Sequence, residues 1–308
     1  AQSTALHYVT EEMQSFFQAA IIQSAPLTIP FRTYAEYITP GVLLAEQLHC
    51  QYHDLSCFRN ASYQEIIAAQ RVVNNLVTSL NLLLFFEPWM PVIDDVVIHD
   101  QLLRTVQNTT FPLKPLIIGT LTEEAVLYIH EGWHKPVSAQ TYAEVLLVTF
   151  AQNALKVLER YPPDSSMDQR PLLARVGTNY VFACSTRVFA RKAATFSYVF
   201  GYPLDFNGWD NLTFCIGHVC HGSELPYVFQ SAWLNFTDAG RRVSTTMVNY
   251  WGNFAKTKDP NRPVKPTVEW PMSARGSERF LFFQDPISTG EDYLKDDCDF
   301  FDQIGYHS

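Results

Sequence analysis

Three places in the sequence hold residues whose types and spacing could do chemistry. The first is His130-Glu131-Gly132-Trp133-His134, which satisfies H-E-x-x-H. On a helix that pattern sets two imidazoles one turn apart on a zinc ion, with the carboxylate as general base. Its setting opposes this. Gly132 weakens a helix at the motif's centre, Pro136 follows closely, and the next carboxylate, Glu144, stands ten positions beyond His134. The second is Glu124, in the run Gly119-Thr120-Leu121-Thr122-Glu123-Glu124. It directly follows an apolar segment, and the carboxyl ends of parallel strands are where α/β enzymes place their sites. Helix capping explains the same residues locally, with Thr122 as N-cap and two first-turn acids favoured by the dipole; taken alone, the run favours capping. The third is His221, in the run Cys220-His221-Gly222-Ser223-Glu224-Leu225-Pro226-Tyr227-Val228-Phe229. A histidine between a cysteine and a glycine sits on a constrained loop that can present an imidazole to a cleft; the alternative is an exposed, inert loop histidine.

Any of these side chains needs a scaffold. Apolar runs bounded by turn residues read as buried strands at 19–25 (AAIIQSA), 115–121 (PLIIGTL), 195–204 (TFSYVFGYPL) and 279–285 (RFLFFQD). Between them lie stretches at helical spacing. One is 62–80, where Tyr63, Ile66, Ile67, Val73 and Leu76 return to one face; another is 141–160, with Tyr142, Val145, Leu146, Phe150, Leu155 and Leu158. Fully apolar strands alternating with helices predict a mostly parallel α/β sheet flanked by helices. No internal repeat is present. The polar, Pro-bearing stretches 162–169 and 256–265 read as loops, so residues 1–308 are expected to form a single domain.

Composition narrows the function. The chain has 308 residues, 47 % hydrophobic and 14 % aromatic, and a net charge of −9. That buries a large core and argues against disorder and against a nucleic-acid or anionic-membrane surface. The richest apolar run, 77–90, is interrupted by Asn81, Glu87 and Pro88, so no transmembrane segment is expected. The opening AQSTALHY lacks a signal-peptide layout, so any such segment is expected to have been removed or to lie upstream. Six cysteines occur with four Asn-x-Ser/Thr sequons, at Asn60, Asn108, Asn211 and Asn235. Together they predict a disulfide-bonded glycoprotein, secreted or in an extracellular or lumenal space. No Cys-x-x-Cys occurs, and Cys215 and Cys220 have only His218 and His221 nearby, so neither metal nor cofactor is expected.

The stretch CHGSELPYVF resembles the histidine segment of the type-B carboxylesterase/cholinesterase family of α/β-hydrolases, whose catalytic histidine opens a His-Gly-x-Glu-Leu-Pro-like run. IIGTLTEEAVLY is similar to that family's acid segment, in which Gly-Thr-x-x-x-Glu carries the triad acid. The resemblance implies Glu124, not Glu123, as acid and His221 as base, in the family's order. KDDCDFFDQIGY resembles the closing Cys-x-Phe-Trp segment, with Phe301 where Trp is frequent, and the stretch from His7 to Gln23-Ser24 resembles the helix and strand that follow the family's nucleophile elbow. The same frame implies disulfides Cys50 to Cys57 and Cys184 to Cys298; Cys215 and Cys220 would then pair locally and clamp the loop holding His221.

By that resemblance the fold is the C-terminal portion of an α/β-hydrolase, incomplete without its upstream half. The elbow, Gly-x-Ser-x-Gly, falls before the chain begins: counting back from His7 puts Ala1 about three positions after the nucleophilic serine. Ser3, in AQSTA, is a poor substitute, since its spacing to His7 and Gln23 is wrong and the strained turn needs glycine. The oxyanion hole also belongs upstream. The expected function is a serine carboxylic-ester hydrolase to which this chain supplies acid and base, inactive alone, its partner the N-terminal half of the same hydrolase. Without that half, AAIIQSA would be an exposed apolar edge. Leu127 and Ser223 stand where cholinesterase-like pockets carry aromatics, Tyr128 being the one retained, so a small neutral ester suits better than choline. The competing expectation is a non-catalytic structural, storage or adhesion protein of the same family.

Overall fold

The apolar runs become one sheet. The computed structural model describes residues 1–76, 89–193, 195–208 and 212–306. Its strands in chain order are β1 (Ala20–Gln23), β2 (Arg32–Thr33), β3 (Val92–Ile93), β4 (Leu116–Leu121), β5 (Thr195–Phe200), β6 (Arg279–Phe283) and β7 (Ser288–Glu291). The main sheet runs β1-β4-β5-β6-β7, parallel except for the β6–β7 hairpin, while β2 and β3 pair separately. All six residues of β4 are buried, Thr120 included, as a strand with helices on both faces requires. Leu116 and Ile118 face one core, with Ile22, Leu102, Val106 and Phe189. Ile117 and Leu121 face the other, with Phe150, Tyr180, Phe196, Trp270 and Phe283. Pairing aligns Gln23, Gly119 and Tyr198 in one row across the strands. Glycine is needed in that row, because a Cβ at Gly119 would run into the Tyr198 ring. On its other side β1 pairs with no strand among the described residues.

Several expected boundaries shift. β5 stops at Phe200 rather than continuing to 204: the Gly201 N–H still bonds to Phe283 O, and Pro203, without an N–H, lies beyond. The stretch 141–160 is two helices, Ala139–Phe150 and Ala154–Arg160, divided by a tight turn in which Ala151 adopts φ 46°. The break re-phases the second helix, so Ala154 and Val157 are buried and Leu155 is exposed. Within 62–80 the structure shows helix Tyr63–Leu76; positions 77–80, like 81–88 of the longest apolar run, lie outside the described residues. That helix buries Ala69 and Val73 against helix Tyr34–Gln47, leaving Tyr63, Ile67 and Leu76 of the expected face exposed.

Helix Arg170–Gly177 continues through a wide π-helical turn, Thr178–Ala183, into helix Cys184–Ala190, and all six residues of the wide turn are buried. Tyr180 from that turn packs between Phe150 and Phe301, at ring distances of 4.8 and 5.1 Å. Disulfides join Cys50 to Cys57, Cys184 to Cys298 and Cys215 to Cys220. The second ties the wide turn's end to helix Lys295–Ile304. Asn60, Asn108 and Asn235 are exposed, and Asn211 lies outside the described residues. Among the described residues no helix is long and apolar enough to cross a membrane.

Candidate active site

The site is built at the carboxyl end of β4. Past Leu121 the chain turns before helix Val126–Gly132, and the turn lets Glu124 fold back over its own strand. Its Oε1 accepts hydrogen bonds from the Leu121 N–H at 2.8 Å and the Thr120 hydroxyl at 3.0 Å. Oε2 is thereby aimed away from the strand, 2.7 Å from His221 Nδ1. The capping role favoured by the local residues is not what the structure shows: the helix N-cap is Ala125, with no side-chain cap. Glu124 is completely buried, so its carboxylate is oriented by fixed donors rather than by water.

His221 comes from the long connection after β5. Gly222, at φ 83°, lets the chain reverse after the histidine and enter helix Leu225–Phe229, a conformation only glycine adopts cheaply. The imidazole lies against Tyr128 and Phe182, both ring centroids 5.3 Å away. With Nδ1 on Glu124, Nε2 has no partner among the described residues, and the ring lines a cleft shared with Ala1, Gln2, Ser3, Gln23 and Phe229. Burial disfavours the charged ring, but the hydrogen bond and charge of Glu124, with the charge of Glu224, outweigh it and raise His221 above its ordinary value of 6.5.

A second buried carboxyl lies beside the pair. Glu224 is 1 % exposed. Its Oε1 accepts from Gln23 Nε2 at 3.0 Å, and Gln23 Oε1 accepts from Trp251 Nε1 at 3.0 Å, so the end of β1 is tied to the histidine loop. Glu224 Oε2 has no hydrogen-bond partner among the described residues. Burial, then the charge of Glu124, pushes the Glu224 carboxyl up to about 7. Gln23 and Glu224 were both visible as letters in the family-like runs, but nothing in their spacing, 201 residues apart, shows that they touch.

The other candidates separate. Helix Val126–Gly132 ends inside H-E-x-x-H, Trp133 is extended, and His134 is exposed outside the helix, so the two imidazoles do not share a helical face. His130 stacks on Phe214 at 5.0 Å, and burial lowers its basicity. Ser3 lines the cleft from the first turn of helix Gln2–Val9, not from a strand-to-helix elbow. Ser223 is fully buried and is not part of the wall of this cleft. Tyr128 does line it, and also walls an apolar recess with Ile129, Leu146, Phe150 and Phe182.

A parallel sheet between helical layers is the architecture of α/β-hydrolases. The profile of the carboxylesterase family matches residues 1–301, and the chain belongs to that family. It is 30 % identical over 321 residues to the crystal protein of Dictyostelium discoideum, a match covering all of this chain and 58 % of that protein. To the acetylcholinesterase of Bungarus fasciatus it is 24 % identical over 330 residues, covering 99 % of this chain and 54 % of the enzyme. The chain thus spans little more than half the length of these relatives. Among solved structures, a PNB esterase superposes with a TM-score of 0.75 at 18 % identity, covering all of this chain and 61 % of the esterase, a likeness of fold.

Proposed function

We propose that this chain is the acid-and-base portion of a serine carboxylic-ester hydrolase. In this reading a serine in the preceding sequence attacks the ester carbonyl. His221 Nε2 takes its proton and returns it to the leaving alkoxide, and Glu124 holds the ring's tautomer and stabilises the imidazolium. The observation that carries the proposal is the 2.7 Å contact from a fully buried, doubly anchored Glu124 to His221 Nδ1. Two features support the missing companion: Ala1, Gln2 and Ser3 line the same cleft as His221, and β1 has a side open to another strand. The partner is then the N-terminal half of the same hydrolase, bearing nucleophile and oxyanion hole, and this chain alone is inactive.

The walls support a substrate class. Among the described residues Glu224 is the only carboxyl lining the cleft, and it is buried, so a cationic choline finds no exposed counter-charge. The apolar recess behind Tyr128 suits a small neutral ester with a hydrocarbon group. Three disulfides and the exposed sequons at Asn60, Asn108 and Asn235 support secretion and glycosylation. The test is fluorophosphonate labelling of the full-length native protein followed by mapping of the labelled residue. Label on a serine preceding this chain is the expected result. An unlabelled protein refutes the hydrolase and leaves a non-catalytic structural or storage role.

A further inference from the structure

We infer that Glu123, the carboxylate not used in the proposed dyad, is the positioning residue for His221. The catalytic readout of this inference rests on the hydrolase reading; its structural readout does not. Between Phe200 and Leu225 the only regular element among the described residues is the short turn Thr213–Cys215, so the base sits on a long connection that must nevertheless hold an imidazole to a fraction of an ångström. The Cys215–Cys220 cystine is buried in the core, but it joins the loop to itself and adds no polar tie to the sheet. The backbone bonds of Leu204 to Gly217 and His218 likewise join two limbs of the same connection.

Among the described residues, the polar contacts that reach residues 215–220 from outside this connection come from Glu123 alone. Its Oε1 lies 2.8 Å from His218 Nδ1, and its Oε2 accepts from the Val219 N–H at 2.8 Å. The tandem acids at the end of β4 therefore grip two histidines three residues apart, Glu124 on His221 and Glu123 on His218. The two bonds of Glu123 are not equal. The His218 side chain is 48 % exposed, and such pairs are weakened by solvent screening. Val219 is buried, so its N–H has no ready replacement acceptor, and it stands two residues before the base. The backbone bond carries the positioning.

The test uses the full-length protein and compares Glu123→Ala, Glu123→Gln and His218→Ala. Misplacing the base lowers kcat of Glu123→Ala about 10- to 100-fold with KM little changed. Glu123→Gln restores most of it, because the amide oxygen still accepts from Val219, and His218→Ala has a small effect. The proton shared by His221 Nδ1 and Glu124, read in the downfield proton NMR spectrum, is sharp in wild type, broadened or lost in Glu123→Ala, and recovered in Glu123→Gln. If Glu123→Ala does not fold, Glu123→Asp, which keeps the charge but shortens the reach, takes its place. A wild-type kcat together with an unshifted, sharp signal in the variant overturns the inference. A wild-type protein without turnover, whose downfield signal still responds as described, overturns the hydrolase reading and leaves the positioning role standing.

Discussion

Replacing Glu124 with glutamine should abolish turnover even though it removes only a charge. Oε1 of Glu124 accepts two hydrogen bonds, from the Leu121 N–H and the Thr120 hydroxyl. In Glu124→Gln the amide oxygen must stay there, because turning the NH2 toward the Leu121 N–H would oppose donor to donor in a fully buried site. The NH2 therefore faces His221 Nδ1, which becomes an acceptor, and the ring proton moves to Nε2. A base protonated at Nε2 cannot take a proton from serine. The corresponding change in a serine protease triad costs about 10⁴ in kcat, or about 5.4 kcal/mol of barrier. The assay is single-turnover cleavage of a neutral chromogenic ester by the full-length variant, with a thermal melt to confirm folding. A kcat within about tenfold of wild type in a folded variant would refute the dyad, since losses of the expected size exceed that by about a thousandfold.

Because His221 is raised above 6.5 and works as a base only when neutral, kcat/KM should climb with pH through a midpoint above 6.5; Glu224→Gln, which removes one of the charges that raise it, should move that midpoint down. Glu224 is raised from 4.5 to about 7, so the unfolded chain loses this proton first and stability falls as pH rises across that window; the melting temperature of Glu224→Gln relative to wild type should increase from pH 4.5 to 7. Removing the Cys184–Cys298 bridge, whose partners are 114 residues apart, should cost about 4–5 kcal/mol in denaturant unfolding by loop entropy. Gly119→Ala forces a methyl into the Tyr198 ring at the centre of the sheet and should cost about 1–3 kcal/mol in the same assay.

The strands were legible because burial on both faces leaves a signature in the letters: 115–121 carries no charge and one hydroxyl, and β4 is among the strands that pair on both sides. The helices were less so. Nothing in 141–160 marks Ala151 as the place where the backbone takes a positive φ, since that conformation usually announces itself with glycine or asparagine. Periodicity also selected Tyr63 and Leu76 as inward, while the helix buries the small Ala69 instead, because a neighbouring helix can approach closely only where side chains are short. At the site, spacing could not tell Glu123 from Glu124. Both reach the same loop from adjacent positions, and only the family-like motif distinguished the one that meets His221. The link from Trp251 through Gln23 to Glu224 joins three distant parts of the chain, and no local pattern encodes such a contact.

The wide turn at Thr178–Ala183 sets a limit on how this chain can change. It delivers Phe182 to the imidazole and, two residues later, Cys184 to its bridge with Cys298. Deleting one residue there would tighten the coil to an ordinary α-helix, which leaves the helix beyond it in nearly the same phase but changes the facing of the residues inside the turn. The covalent staple would hold while the aromatic wall turned away from the imidazole. Length variation among homologues should therefore be absent from this turn and collect in exposed loops such as 164–167, a pattern that a handful of aligned sequences would reveal.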